Sequence, residues 1–320
     1  MDTRHLVDPE VWPIVELLPI SEYDRETLNF ARSEMAGRFA ASPEPPIAAT
    51  VRTAPRADGS MIELYHYDPN PGATGRAALY HIHGGGMILG SARDMQFGPS
   101  AMAAALQIPV VSVEYRLAPE TTFPGPQQDC LDGLVWLAAN AAELGIDPNR
   151  IAIIGESAGG GLAAATALMA RDTAGPKLAA QVLVYPMLDH RTGSDACRWN
   201  NRSTGEWVWN RSANRFGWEA LRGDYPAEDA RKGWFSPALA EDLAGLAPTL
   251  LLTGSLDLFF DEDLDFARRL VDAGVPVELH SYPGAIHAFN MMPEATISQA
   301  FNRDMMGGIG RLLGLSSPSA

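Results

Sequence analysis

Cysteine is almost missing from this chain of 320 residues, which holds only Cys130 and Cys197. Two thiols give no disulfide framework and no metal-type spacing, so reduced thiols in a cytoplasm are the simple expectation. Basic side chains are scarce as well: 24 stand against 39 acidic ones, for a formal charge of −15. Such a surface repels phosphate backbones and anionic lipid wherever salt does not screen it, which argues against nucleic acid as a partner. No run is long and apolar enough to span a bilayer, so no stable membrane insertion is expected. The opening stretch "MDTRHLVDPEVWPIVELLP" breaks its apolar residues with prolines and carboxylates, unlike a secretory signal. Internal repeats, low-complexity tracts and charge runs are also missing.

What is present is a core-forming chain, 46% hydrophobic, of a length that α/β proteins commonly fold as one main domain with insertions. Eight apolar or β-branched runs bounded by turn residues read as strands: "TVRTAP", "MIELYHY", "AALYHIH", "VVSVEYR", "IAIIG", "QVLVYPML", "TLLLTG" and "VELHSYPG". The first two are joined by "RADGS", a hairpin connection. Later runs alternate with helical patterns such as "QQDCLDGLVWLAANAAELG", "GLAAATALMARD" and "DEDLDFARRLVDAG". A hairpin followed by βαβ units predicts an α/β fold, with a mostly parallel eight-stranded sheet, an antiparallel edge and flanking helices. Two regions escape the alternation, residues 1–48 and 189–236. Both are expected to form a helical cap over one end of the sheet, with residues 49–188 and 237–320 making the two parts of the core. Trp199, Trp207, Trp209, Trp218 and Trp234 fall in or beside strongly polar stretches of the second region. They suit the cap's own hydrophobic core at least as well as a pocket wall.

Gly155-Glu156-Ser157-Ala158-Gly159 follows one predicted strand and opens a predicted helix, the context that a G-x-S-x-G nucleophile turn requires. A serine in so tight a turn collides with the residues two before and two after unless they lack a Cβ, and both are glycine. The helix that follows aims amide donors and its positive dipole end at the place where negative charge develops in acyl transfer. A dinucleotide loop is the rival, but the G-x-G-x-x-G order is absent.

Upstream, "HIHGGG" at residues 81–86 directly follows a strand. Three consecutive glycines weaken any regular element by roughly 0.5–1 kcal/mol each, so they mark a close backbone approach, as oxyanion donors need. His81 and His83, at i and i+2 on a strand, share a face and could bind a metal. No third ligand accompanies them, and no metal is expected. A serine hydroxyl needs a histidine to take its proton and a carboxylate to orient that histidine. Asp257, just past a strand end, is the acid chosen here; Asp261, Glu262 and Asp263 read as first-turn helix residues. His287 lies downstream in a strand-to-loop segment, whereas His280 is explained by strand alternation.

Together "HGGG" at 83–86, "YRLAPE" at 115–120, "GESAGGG" at 155–161 and "YPGAIHAF" at 282–289 resemble the hormone-sensitive-lipase-like (bacterial family IV) esterases of the α/β-hydrolase fold. The resemblance runs from about Arg76 almost to the C-terminus. It implies Ser157 as nucleophile, His287 as base and Asp257 as orienting acid, with Gly85, Gly86 and Ala158 donating amides to an oxyanion. It further implies a small-molecule ester of short to medium acyl chain as substrate, no cofactor, and for many members a homodimer. Glu156 stands where many relatives have Asp, and a structural role is expected of it; Glu120 is expected to be a buried support. A lactonase or amidase on the same machinery remains an alternative. So does a non-catalytic small-molecule receptor, against which the retention of all three side chains argues.

Overall fold

A computed structural model describes residues 2–18 and 22–315. Its eight strands are β1 (Thr50–Pro55), β2 (Met61–Tyr67), β3 (Arg76–Ile82), β4 (Val110–Val113), β5 (Ile146–Glu156), β6 (Ala180–Val184), β7 (Thr249–Gly254) and β8 (Val277–Tyr282). They form one sheet in the order β1-β2-β4-β3-β5-β6-β7-β8. All eight sequence-predicted strands are there. Only β2 runs against the rest, pairing antiparallel with β1 on one side and with β4 on the other. The pairs from β4 through β8 are all parallel.

Among the described residues nine α-helices accompany the sheet: α1 (Pro13–Leu17), α2 (Leu28–Ala40), α3 (Phe97–Leu106), α4 (Gly125–Ala139), α5 (Ala158–Asp172), α6 (Arg211–Arg222), α7 (Lys232–Phe235), α8 (Phe260–Asp272) and α9 (Thr296–Leu312). Successive strand residues point to opposite faces, and the packing follows that period. Ala78, Tyr80, Ile151 and Ile153 lie in one buried cluster with α4, α5 and α8, while Leu79, Ala152 and Ile154 lie in another with α3 and α9. The inner strands are apolar on both faces because helices cover both, as parallel sheets require.

A third cluster joins Leu28 of α2 and Ala213, Trp218 and Leu221 of α6 to Met87, Ile88 and Leu89. Trp218 is fully buried against Phe235, with ring centroids 5.3 Å apart, so it packs in the interior of this region. The N-terminal segment ties to the second region through Thr3, which donates to Glu206 and accepts from the Trp207 indole, and through Trp12, edge-on to Trp207 at 5.0 Å. No helix of the described residues is long and apolar enough to cross a membrane.

Candidate active site

The turn after β5 places Ser157 at φ 57°, ψ −121°, a conformation a side-chain-bearing residue adopts only under constraint. The constraint is visible in its neighbours. A Cβ on Gly155 would lie 2.2 Å from the Gly159 carbonyl oxygen, and one on Gly159 would lie 2.1 Å from that of Ile82. Only glycine fits either position. The Ser157 amide donates to Val184 O at 2.9 Å and its carbonyl accepts from the Met187 amide at 2.9 Å, which ties the turn to the end of β6.

His287 and Asp257 arrive from loops after β8 and β7. The Leu256 amide donates to Ala285 O at 3.0 Å, so these two loops are held together by their own backbones. Asp257 Oδ1 accepts from the Phe259 amide at 2.9 Å, leaving Oδ2 to meet His287 Nδ1 at 2.7 Å. His287 Nε2 stands 2.9 Å from Ser157 Oγ. Asp257 is an acceptor at Nδ1, so the proton sits there and Nε2 carries the lone pair that faces the hydroxyl. The ring is flanked edge-on by Tyr185 at 4.9 Å and Phe259 at 5.4 Å. Tyr185 was missed in the sequence: it reads as one more residue of an apolar strand, whereas its φ of 34° turns it off the strand direction. Its hydroxyl donates to Asn290 Oδ1 at 2.7 Å, and burial pushes the phenol well above its ordinary range.

Facing this trio is the glycine loop. Gly85 and Gly86 have φ of 117° and 62°, outside the ordinary range of L-residues. Among the described residues neither amide meets an acceptor. The Ala158 amide, first of α5, is likewise without an intrahelical partner, as helix starts dictate. Such donors suit a developing oxyanion.

His81 and His83 are buried, and each ring makes contacts of its own. His81 Nδ1 meets Ser112 Oγ at 2.8 Å and its Nε2 meets Glu156 Oε2 at 3.1 Å. Glu156 therefore bridges the serine turn to β3. His83 Nδ1 donates to Gly84 O at 2.8 Å, its ring stacks on Tyr115 at 4.3 Å, and burial lowers its pKa to about 4, which keeps it neutral. Among the described residues no three His, Cys, Asp or Glu side chains come together as a metal site.

One expectation needs correction. Glu120 is not a buried support: its side chain is 61% exposed and its two oxygens clamp the Arg32 guanidinium of α2 at 2.8 and 2.9 Å. Its place is the seam between α2 and the "YRLAPE" segment, where a charge keeps contact with water. Asp261, Glu262 and Asp263 lie in the first turn of α8, as the sequence predicts, and Glu262 and Asp263 are buried there. Glu262 accepts from the Leu188 and Asp189 amides and from the Thr192 hydroxyl, and Asp263 accepts from Thr253. Desolvation raises both carboxyls well above their ordinary range.

A mostly parallel sheet whose fifth strand ends in a strained serine turn, with a histidine and an acid delivered by later loops, defines an α/β hydrolase. The family model described as alpha/beta hydrolase fold matches residues 79–291. The chain is similar to an arylesterase of Saccharolobus solfataricus, 31% identical over 91% of this chain and 94% of that protein. It is also similar to an ethyl acetate hydrolase of Pseudomonas putida, 32% identical over 87% of this chain and 86% of that protein. Among solved structures, a bacterial heroin esterase superposes with a TM-score of 0.87 at 36% identity, covering 97% of this chain and 99% of the other. The chain belongs to the hormone-sensitive-lipase-like esterases of the α/β-hydrolase fold.

Proposed function

We propose that this chain is a serine carboxylesterase acting on small esters of short to medium acyl chain. The observation that carries the proposal is the continuous hydrogen-bonded line Asp257–His287–Ser157, at 2.7 and 2.9 Å. Ser157 Oγ attacks the ester carbonyl carbon while His287 Nε2 takes its proton. The carbonyl oxygen, now negative, is received by the amides of Gly85, Gly86 and Ala158. Collapse of the tetrahedral species expels the alcohol, which His287 protonates, and leaves an acyl-enzyme. Water, deprotonated by the same imidazole, then attacks the acyl carbon and releases the acid with Ser157 restored. Asp257 fixes the tautomer and stabilises the imidazolium.

Acetate and aryl esters are supported as substrates by the names of the similar proteins, an ethyl acetate hydrolase and an arylesterase. Residues 1–48 and 189–236 are assigned as the cap that closes the substrate side. The free thiols of Cys130 and Cys197 suit a reducing cytoplasm. The test is turnover of p-nitrophenyl esters of increasing acyl length by wild type and Ser157→Ala. Wild type is expected to favour the shorter chains and the variant to lose turnover by about 10⁴-fold or more. Equal rates would remove Ser157 from the mechanism.

A further inference from the structure

The amide of Gly86 is useful only if its peptide is held in one orientation, and the loop that carries it consists of residues with little preference of their own. What holds it comes from the 189–236 region. A Cβ placed on Gly86 would lie 2.2 Å from Cη2 and 2.6 Å from Cζ2 of the Trp209 indole, so the ring is laid directly on the Gly86 backbone. On the other side, a Cβ placed on Gly217 of α6 would lie 2.7 Å from the Gly86 carbonyl oxygen. Gly86 is thus held at its Cα by an indole and at its carbonyl, one peptide on from the donating amide, by a helix that can come this near only because position 217 lacks a side chain.

The grip is itself braced. Trp209 is 7% exposed, and its Nε1 donates to Asn214 Oδ1 at 3.1 Å. Asn214, fully buried, donates through Nδ2 to Thr192 O at 2.7 Å. Thr192 in turn donates its hydroxyl to the buried Glu262, five residues after Asp257. A line of polar contacts therefore runs from the start of α8 through α6 to the indole. The fit is stricter than wall-building alone needs, since a pocket wall can shift by a fraction of an ångström without penalty, whereas an oxyanion donor cannot.

We infer that Trp209 and Gly217 are positioning residues for the oxyanion hole: docking of α6 fixes the Gly86 backbone on both sides of its Cα, and with it the direction of its amide, so that catalytic competence depends on the seated 189–236 region. The inference rests on the esterase proposal above and deepens it. It distinguishes these residues from a lining that selects substrates, because a misplaced oxyanion donor lowers transition-state stabilisation and leaves ground-state binding alone.

The experiment measures kcat and KM for p-nitrophenyl butyrate, Ki for an alkyl trifluoromethyl ketone, and Tm. The ketone adds reversibly to Ser157: its carbonyl carbon bonds to Oγ, its oxygen becomes the alkoxide, and the proton passes to His287. Gly217→Ala and Trp209→Leu are compared with wild type, with Trp209→Phe as the conservative variant and Gly37→Ala as control. Gly37 lies on α2, where a Cβ would meet nothing within 4 Å. The expected result is a kcat lowered roughly tenfold to a hundredfold, below the 10²–10³ loss of a whole donor, and Ki raised by a similar factor. KM stays within about threefold, Trp209→Phe recovers most of the loss, and Gly37→Ala matches wild type. Should Gly217→Ala lose the folded state by Tm, the two Trp209 variants carry the same reading. Folded variants with unchanged kcat and Ki, or with the whole loss in KM, would overturn the inference. The esterase proposal would survive that outcome so long as Ser157→Ala remains inactive.

Discussion

Glu114 shows at the scale of one residue how this chain spends charge. It follows β4, its carboxylate accepts from the Arg93 amide at 3.1 Å, and burial, with the nearby Asp94 and Glu63 charges, raises its pKa from the ordinary 4.5 to about 7. A carboxyl whose folded pKa lies above its unfolded one binds its proton more tightly when folded. Its stabilising contribution is therefore complete below about pH 4.5 and fades as pH rises through 7. Thermal melts should show Glu114→Gln little different from wild type at pH 4.5 and gaining Tm relative to it by pH 8; a difference that does not grow with pH would refute the assignment. Single residues also mark the limit of sequence reasoning. Asp257 and His287 could be picked out because chain order and strand ends restrict the choice. Tyr185 could not, since its position against the imidazole follows from a positive φ that no local pattern announces. Glu120 was misplaced because a motif names a residue without naming its exposure.

At the scale of elements, the strands were legible because an apolar run between turn residues has few other uses, and all eight lie where the runs predict. Their order was less so: β4 slips between β2 and β3, a crossover that depends on how α3 packs. The helix α6 shows why the 189–236 region looked aperiodic. Its buried positions 213, 214, 217, 218, 220 and 221 make one face at helical spacing, yet Asn214 and Gly217 occupy it where an apolar residue is the usual sign. Both are there for contacts made outside the helix. The start of α6 is capped by Asn210, whose side chain accepts from the Ala213 amide at 2.9 Å. Asn210→Ala is expected to lower stability by about 1 kcal/mol, read as a fall in the denaturation midpoint, whereas no change would mean the cap is idle.

Over the whole molecule, distant segments converge on a few buried charges and on the site. Asp129 of α4, with a fully buried side chain, binds Arg56 from the β1–β2 hairpin at 2.7 Å and Arg116 of "YRLAPE" at 2.8 Å. Asp129→Asn leaves the nearly buried Arg56 without its anion and Arg116 with only Asp58, at 3.7 Å, and should cost about 3–5 kcal/mol in a urea titration; a loss under about 1 kcal/mol would contradict that. The same convergence brings Ser157 and His287, 130 residues apart in the chain, to 2.9 Å. Neither loop could have produced that meeting alone, which is why the sequence could name the residues while only the packed sheet gives the distance. The central claim is that His287 makes the Ser157 oxygen nucleophilic. Mass spectrometry after incubation with diethyl p-nitrophenyl phosphate tests it directly, since attack forms the Oγ–phosphorus bond and expels p-nitrophenolate. One diethylphosphoryl group is predicted on the Ser157 peptide, forming at least about 10³-fold more slowly in His287→Ala. Labelling at another residue, or at the same rate in both proteins, would contradict the account.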